Sequence, residues 1–253
     1  MTITDEQGHQ FKEEGYFLLP DVIPANDLEA LCAVCGAEIA RMDAEMDAAG
    51  VTVSGISHKS SRYFIPFASR ASEAQRHFVF GDILADVCRA TIGDEAYLFL
   101  DQYVVKAAET GMAFGWHQDG GYIGYPHTPY LSCWCTLDAV DETNGTVYIL
   151  PFSRAGSREY TKHVKDPATN DMVGYFGDDP GIPVILPAGS IAVFGSNVFH
   201  RSGANQTDAY RRILLAQYTP QPIWNEAKQA LHLMAEPFLK DGVNVAQSGM
   251  TGA

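Results

Sequence analysis

Apolar residues recur along this chain at two periods, and the change between them divides it. Leu28, Leu31, Cys35 and Ile39 fall at helical spacing, which predicts a helix with one buried stripe, capped by Asn26 or Asp27 and running to about Met46. Ahead of it, Thr4-Asp5-Glu6-Gln7 is a capping-box pattern opening a short helix that Gly15 closes, and Tyr16-Phe17-Leu18-Leu19 then predicts a strand. Ser72 to Ile92 is again helical in spacing, with Phe78, Ile83, Leu84, Val87 and Cys88 facing inward. Between the two helical stretches, Gly50 to Phe67 is polar and irregular and holds His58, Lys59, Arg62, Tyr63 and Phe64. It reads as a surface loop or as a flap over a site mouth.

From Tyr97 onward the period shortens. Short β runs near Tyr97–Lys106, Tyr130–Leu137, Thr146–Leu150, Val184–Leu186, Ser190–Phe194 and Arg211–Tyr218 are separated by Gly, Pro, Asn and Asp. That pattern suits a jelly roll better than a βαβ sheet, so the expected class is mainly β with flanking helices. One barrel with helical additions uses the 253 residues without a second domain. The expected layout is a helical part over roughly 1–95, a jelly-roll core over roughly 96–220 and an extension over roughly 221–253 of a single domain. The long stretch between Pro151 and Pro183 is where such a fold carries substrate-specific loops, and the small, polar tail Val243 to Ala253 reads as disordered.

Composition narrows the choice of partners. With 17 basic against 31 acidic residues and a net charge of −14, nucleic acid and anionic membrane surfaces are disfavoured. No apolar run approaches the roughly 18 residues of a membrane span, and Met1-Thr2-Ile3-Thr4-Asp5-Glu6 lacks a secretory pattern, so a cytoplasmic location is the default expectation. Five cysteines, an odd number, do not form a disulfide framework. Cys32 and Cys35 are spaced like half a zinc site but lack partners, and read as buried helix cysteines; Cys133 and Cys135 flank Trp134 on a strand that packs in the barrel wall.

The chemistry concentrates in His117-Gln118-Asp119, His200 and Arg211. On a strand, residues i and i+2 share a side, so His117 and Asp119 can grip one ion while Gln118 faces away. His200 follows the apolar run Gly189 to Gly195, a buried strand and turn, and can supply the third ligand. Two imidazoles and a carboxylate occupy one face of an Fe(II) octahedron and leave positions for a co-substrate and O₂. Arg211 opens a further strand and can hold a carboxylate bidentately.

Trp116-His117-Gln118-Asp119-Gly120-Gly121-Tyr122, then Trp134 to Gly145, then Leu150-Pro151-Phe152-Ser153, then His200-Arg201-Ser202-Gly203-Ala204-Asn205, together resemble the phytanoyl-CoA dioxygenase family. The resemblance runs from about Phe11 to about Tyr218. It implies a double-stranded β-helix of cupin-like jelly-roll type and an Fe(II)- and 2-oxoglutarate-dependent oxygenase. On this resemblance His117, Asp119 and His200 are the iron ligands, Arg211 pairs with the distal carboxylate of 2-oxoglutarate and Ser202 assists it. Gln118 and Trp134 match positions lining the co-substrate pocket, with Gln102 a weaker match; the family also draws a basic or polar residue from the segment before the barrel, for which Lys59 and Arg62 are candidates that the motif does not assign. The implied reaction couples conversion of 2-oxoglutarate and O₂ to succinate and CO₂ with oxidation of an unactivated C–H bond in a small-molecule metabolite. Asp119 favours hydroxylation or desaturation over halogenation, because related halogenases carry a small residue there. The acidic charge disfavours a coenzyme A thioester as substrate.

Around the site, Phe114, Trp116, Tyr122 and Tyr125 read either as the lining of an aromatic pocket or, the better reading for any single ring, as barrel core or rim, and Arg154 is either an acid-binding or a solvated arginine. His58, His127 and His163 have no partners at ligand spacing and read as structural or exposed. Two other readings stand beside the oxygenase: a cupin-like metalloenzyme that does not use 2-oxoglutarate, which has no need of Arg211, and a catalytically inactive jelly-roll binding protein, which lacks a ligand. Structural zinc is disfavoured for want of a closed four-ligand set.

Overall fold

Two facing β-sheets and a layer of helices on the outside of the larger one make up the computed structural model, which describes residues 3–109, 111–167, 169 and 171–246. The capping box closes as the sequence implies. The Thr4 hydroxyl accepts from Gln7 N–H at 3.2 Å, the Gln7 side chain accepts from Thr4 N–H at 2.9 Å, and helix Asp5–Glu14 follows. Gly15 ends it at φ +83°, and a Cβ there would meet Val198 at 2.4 Å, so the turn into strand Tyr16–Leu19 requires glycine.

The large sheet takes the order Val53–Ser54, Ser57–His58, Arg62–Pro66, Ala96–Lys106, Arg211–Thr219, Leu131–Thr136, Ile191–Gly195, Tyr16–Leu19, every neighbour antiparallel. The small sheet runs Ile182–Pro183, Val147–Leu150, Phe199–Ser202, Phe114–His117. Strand-period alternation sorts the side chains. Cys133, Cys135, Leu214, Ala216 and Tyr218 point outward into a core shared with Leu31 and Cys35 of helix Ala25–Ala49, Phe78 of Glu73–Val79, and Leu84, Val87 and Cys88 of Asp82–Thr91. Trp134, Ala192, Phe194 and Ile213 point inward and meet Val147 and Ile149 of the small sheet. The fold is a double-stranded β-helix with flanking helices, and the cysteines, all reduced, sit against helices or within them. Burial pushes the Cys35 thiol up to about 12, so it is an inert packing group.

Several boundaries differ from the sequence reading. The segment read as irregular contains Arg62–Pro66, paired along its length with Ala96–Lys106, and Tyr63 and Ile65 are fully buried. Ser72 to Ile92 is two helices, because Gly81 sits extended at the start of the second and a Cβ there would lie 3.0 Å from the Phe78 carbonyl oxygen. The long helix begins at Ala25, with Pro24 at its N-cap and no side-chain cap from Asn26 or Asp27, and extends to Ala49. Of Val184–Leu186, Leu186 makes only an isolated bridge to Val140, and the strand lies at Ile182–Pro183. At the C-terminus, Val243–Asn244 pairs with strand Glu236–Lys240; residues 247–253 of the expected disordered tail lie outside the described residues. Among the described residues, no helix is long and apolar enough to cross a membrane.

Candidate metal centre and co-substrate cavity

His117 ends its strand directly opposite His200 on the neighbouring antiparallel strand, so sheet register alone brings the two rings to 4.1 Å between centroids. Gln118 stays extended and Asp119 enters a single 3-10 turn, which swings its carboxylate back: Oδ1 lies 3.8 Å from His117 Nε2 and 3.5 Å from His200 Nε2. One ligand atom from each of the three residues lies within 4.8 Å of the others, and this is the one such cluster among the described residues.

Each ligand is oriented by its other end. His117 Nδ1 lies 2.8 Å from the Gly115 carbonyl and His200 Nδ1 lies 3.2 Å from that of Val198, an arrangement that puts the proton on Nδ1 and turns the Nε2 lone pairs to one point. Burial, and then the nearby His200, hold the His117 imidazole well below its ordinary pKa, so it stays neutral and able to ligate. Asp119 Oδ2 accepts from the Ser132 hydroxyl at 2.6 Å and from the Gln217 amide at 2.9 Å, and Oδ1 is left for a metal. Ser132 and Gln217 were not singled out in the sequence. Period two places Ser132 on one face with Trp134, and Gln217 with Arg211, but does not tell a ligand support from any other polar strand residue.

The centre opens into a cavity of about 240 Å³ lined by His117, Asp119, His200, Trp134, Gln102, Ser202 and Arg211, among others. Arg211 is 1 % exposed, donates only to the Val104 carbonyl at 3.3 Å, and its Nε has no partner. Burial lowers its pKa to about 9, which leaves it charged at neutral pH with no carboxylate to match it. Trp134 stacks 5.6 Å from the guanidinium. An unpaired buried guanidinium is costly, and a dicarboxylate in the cavity would complete it.

Gln118 is placed elsewhere. Its amide donates to the carbonyls of Glu159 and Asn197 and accepts from Thr161 N–H, so it ties the stretch between Pro151 and Pro183 to the metal motif and does not line the cavity. His163 belongs to the same tie, its Nε2 accepting from Gln118 N–H at 2.9 Å. Gly120 and Gly121 make room for it: a Cβ at Gly121 would meet the His163 ring at 2.1 Å, and one at Gly120 would meet Tyr160 at 2.2 Å. His127 lies against Tyr160, a structural contact as expected. Of the four aromatic residues, Phe114 and Tyr122 line the cavity, each edge-on to His117, and Trp116 and Tyr125 do not. Lys59 pairs with Asp47 and Arg154 with Asp179, both near the surface. Arg62 does line the cavity, but Asp171 neutralises it through contacts of 2.8 and 3.3 Å.

The donor set suits a ferrous ion: two neutral imidazoles and one carboxylate, no thiolate, and an open side facing a cavity that contains an unmatched cation. Fold and site together define a non-haem Fe(II)- and 2-oxoglutarate-dependent oxygenase. The chain belongs to the phytanoyl-CoA dioxygenase (PhyH) family, whose sequence pattern matches residues 11–213. It is 24% identical to the ectoine dioxygenase of Stutzerimonas stutzeri (strain A1501) over 239 residues, 85% of this chain and 76% of that one. The crystal structure of EctD from S. alaskensis with 2-oxoglutarate and 5-hydroxyectoine superposes with a TM-score of 0.65 at 25% identity, covering 91% of this chain and 78% of that one. The non-heme monooxygenase ThoJ shares the fold, with a TM-score of 0.68 at 17% identity over 98% of this chain and 94% of that one.

Proposed function

We propose that His117, Asp119 and His200 hold the iron, that Arg211 and Ser202 hold the distal carboxylate of 2-oxoglutarate, and that the enzyme hydroxylates a C–H bond of a small molecule in the cytoplasm. Residues 1–253 act in this reading as one oxygenase domain, since strands Tyr16–Leu19, Arg62–Pro66 and Glu236–Lys240 join the sheet that bears the site. The observation that carries it is the buried, unpaired Arg211 at the wall of the cavity onto which the three ligand groups open. A cupin-like enzyme without 2-oxoglutarate leaves that cation unexplained.

Bound iron with its co-substrate supplies the oxidant, through decarboxylation of 2-oxoglutarate by O₂ to succinate and CO₂. The protein's own part is orientation and shelter. Gly115 and Val198 keep the imidazoles in the ligating tautomer, and Ser132 and Gln217 keep Asp119 Oδ1 turned inward. Arg211, with Ser202 also on the cavity wall, fixes one end of the co-substrate, and Trp134 packs over the guanidinium and keeps water from it.

The test is three substitutions. His117→Ala or Asp119→Ala should abolish Fe(II) binding and succinate formation, read by metal analysis and product assay. Arg211→Ala should raise the KM for 2-oxoglutarate by about a hundredfold, on the order of 3 kcal/mol for a charge-assisted pair, with metal affinity retained. Unchanged 2-oxoglutarate dependence in Arg211→Ala would remove that role.

A further inference from the structure

Lys106 is a charged residue of the cavity wall to which the oxygenase reading gives no task. It ends strand Ala96–Lys106, directly opposite Arg211 on one neighbouring strand and Arg62 on the other. Three cations thus stand side by side in one register row, Arg211 at 1 %, Lys106 at 3 % and Arg62 at 2 % exposure, and all three line the cavity. Among the described residues, Asp171 is the one carboxylate paired with any of them, and Arg62 takes it up. Arg201, another cation on the lining, stands apart from this row, 3.8 Å over the Tyr148 ring with an N–H on the Pro180 carbonyl.

The Lys106 ammonium has carbonyl partners and no counter-charge. It donates to the Met112 carbonyl at 2.7 Å and to that of Gly203, and a third N–H remains. Gly203 directly follows Ser202, the residue assigned above to the distal carboxylate. Glycines make room for the long stem: a Cβ at Gly111 would lie 2.8 Å from Lys106 Cβ, and one at Gly145 would lie 3.0 Å from its Cδ. Burial, and then Arg211 and Arg62, hold the pKa of Lys106 well below the ordinary lysine value. An anion arriving beside such a lysine favours its charged form.

The row also lies at the matching end of the barrel. Gln217, which holds Asp119, pairs with Leu100 near the metal, and Arg211 pairs with Lys106 at the opposite end of the same two strands. A molecule reaching from the metal to Arg211 therefore also approaches Lys106.

Resting on the iron and 2-oxoglutarate assignment above, we propose that Lys106 is a second binding residue for the distal carboxylate of 2-oxoglutarate, its free N–H meeting one carboxylate oxygen while Arg211 meets the other. Two cations of different shape then hold one anionic end: the planar fork fixes its orientation, and the compact ammonium adds charge.

Calorimetric titration without O₂, on the full chain loaded with Fe(II), compares 2-oxoglutarate with 2-oxopentanoate, which has a methyl group where 2-oxoglutarate has its distal carboxylate. Lys106→Met keeps the stem and should weaken 2-oxoglutarate about tenfold, the worth of one charge-assisted hydrogen bond, while leaving 2-oxopentanoate unchanged. Equal loss of both, or no loss of 2-oxoglutarate, would overturn the proposal and leave Lys106 as a tie between the Met112 and Gly203 carbonyls. Arg211→Ala answers independently of how Lys106→Met folds: it should still prefer 2-oxoglutarate to 2-oxopentanoate about tenfold, and complete loss of that preference would overturn the proposal equally. The wild type separates the two levels. If it binds both oxo acids alike, the co-substrate assignment itself fails; if it prefers 2-oxoglutarate and only the variants depart from expectation, the role of Lys106 alone is excluded.

Discussion

Ser132 and Gln217 do for Asp119 what the Gly115 and Val198 carbonyls do for the histidines: they occupy the far side of the ligand and fix its aim. Such supports typically contribute ten- to a hundredfold in metal affinity. Gln217→Ala should therefore weaken Fe(II) binding by about that factor with 2-oxoglutarate contacts intact, as a metal-competition titration would show. Equal affinity in the variant would mean that Ser132 alone orients the carboxylate. At this scale His117, Asp119, His200 and Arg211 were legible because unusual polar residues stand beside strand signals and in the family's order. Ser132 and Gln217 were not, since a polar residue inside a strand looks the same whether it supports a ligand or meets solvent. The role of Gln118 depends on Glu159, Thr161 and Asn197, far along the chain, and no local pattern announces it.

Two buried polar ties are among those that hold down the stretch between Pro151 and Pro183. Gln118 and His163 pin it to the metal motif, and Asp171 reaches across to Arg62, both side chains almost fully buried at 3% and 2% exposure. Removing one partner of such a pair strands the other charge and costs about 3–5 kcal/mol. Asp171→Ala should lose about that much stability in urea unfolding, and a loss below about 1 kcal/mol would show that Arg62 is satisfied by the Ile56 and Thr169 carbonyls. Strand Arg62–Pro66 escaped the sequence reading for a related reason. Its alternation, Tyr63 and Ile65 to the helices and Arg62 and Phe64 to the cavity, is blurred by a charged residue facing inward, and the partner that pairs along its whole length, Ala96–Lys106, comes later in the chain. The break at Gly81 was hidden because the inward stripe of Ser72 to Ile92 continues across it.

Across the molecule, helices and sheet are joined by a buried carboxylate as well as by apolar contact. Asp101 accepts from Ser69 N–H at 3.0 Å, from the Ser69 hydroxyl at 2.6 Å and from the Gln75 amide, and burial raises its pKa in spite of them. A carboxyl with a raised native pKa makes its full contribution below the unfolded value and loses it as pH rises through the native one. Relative to Asp101→Asn, which does not titrate, the wild type should gain stability as pH falls from 7 to about 4, measured by urea unfolding at both values. A constant difference would place the native pKa at its unfolded value. The overall architecture was legible from Tyr16–Leu19 and the strand run after Tyr97, whereas the full width of the large sheet was not, because Val53–Ser54, Ser57–His58 and Arg62–Pro66 at its other side come from a polar region.

Arg211 places an unmatched guanidinium deep inside a protein whose net charge is −14. A doubly negative co-substrate is therefore repelled at long range and captured only once it is within contact distance, two regimes that salt affects unequally. Raising ionic strength from about 0.01 M to 0.15 M shortens the screening length from about 30 to 8 Å, and in stopped-flow measurements it should speed 2-oxoglutarate association while hardly changing dissociation. An association rate that falls with salt would place a positive funnel at the entrance. Capture by an enzyme of this kind is then faster at physiological ionic strength than in dilute buffer, the reverse of the usual behaviour of anion-binding proteins.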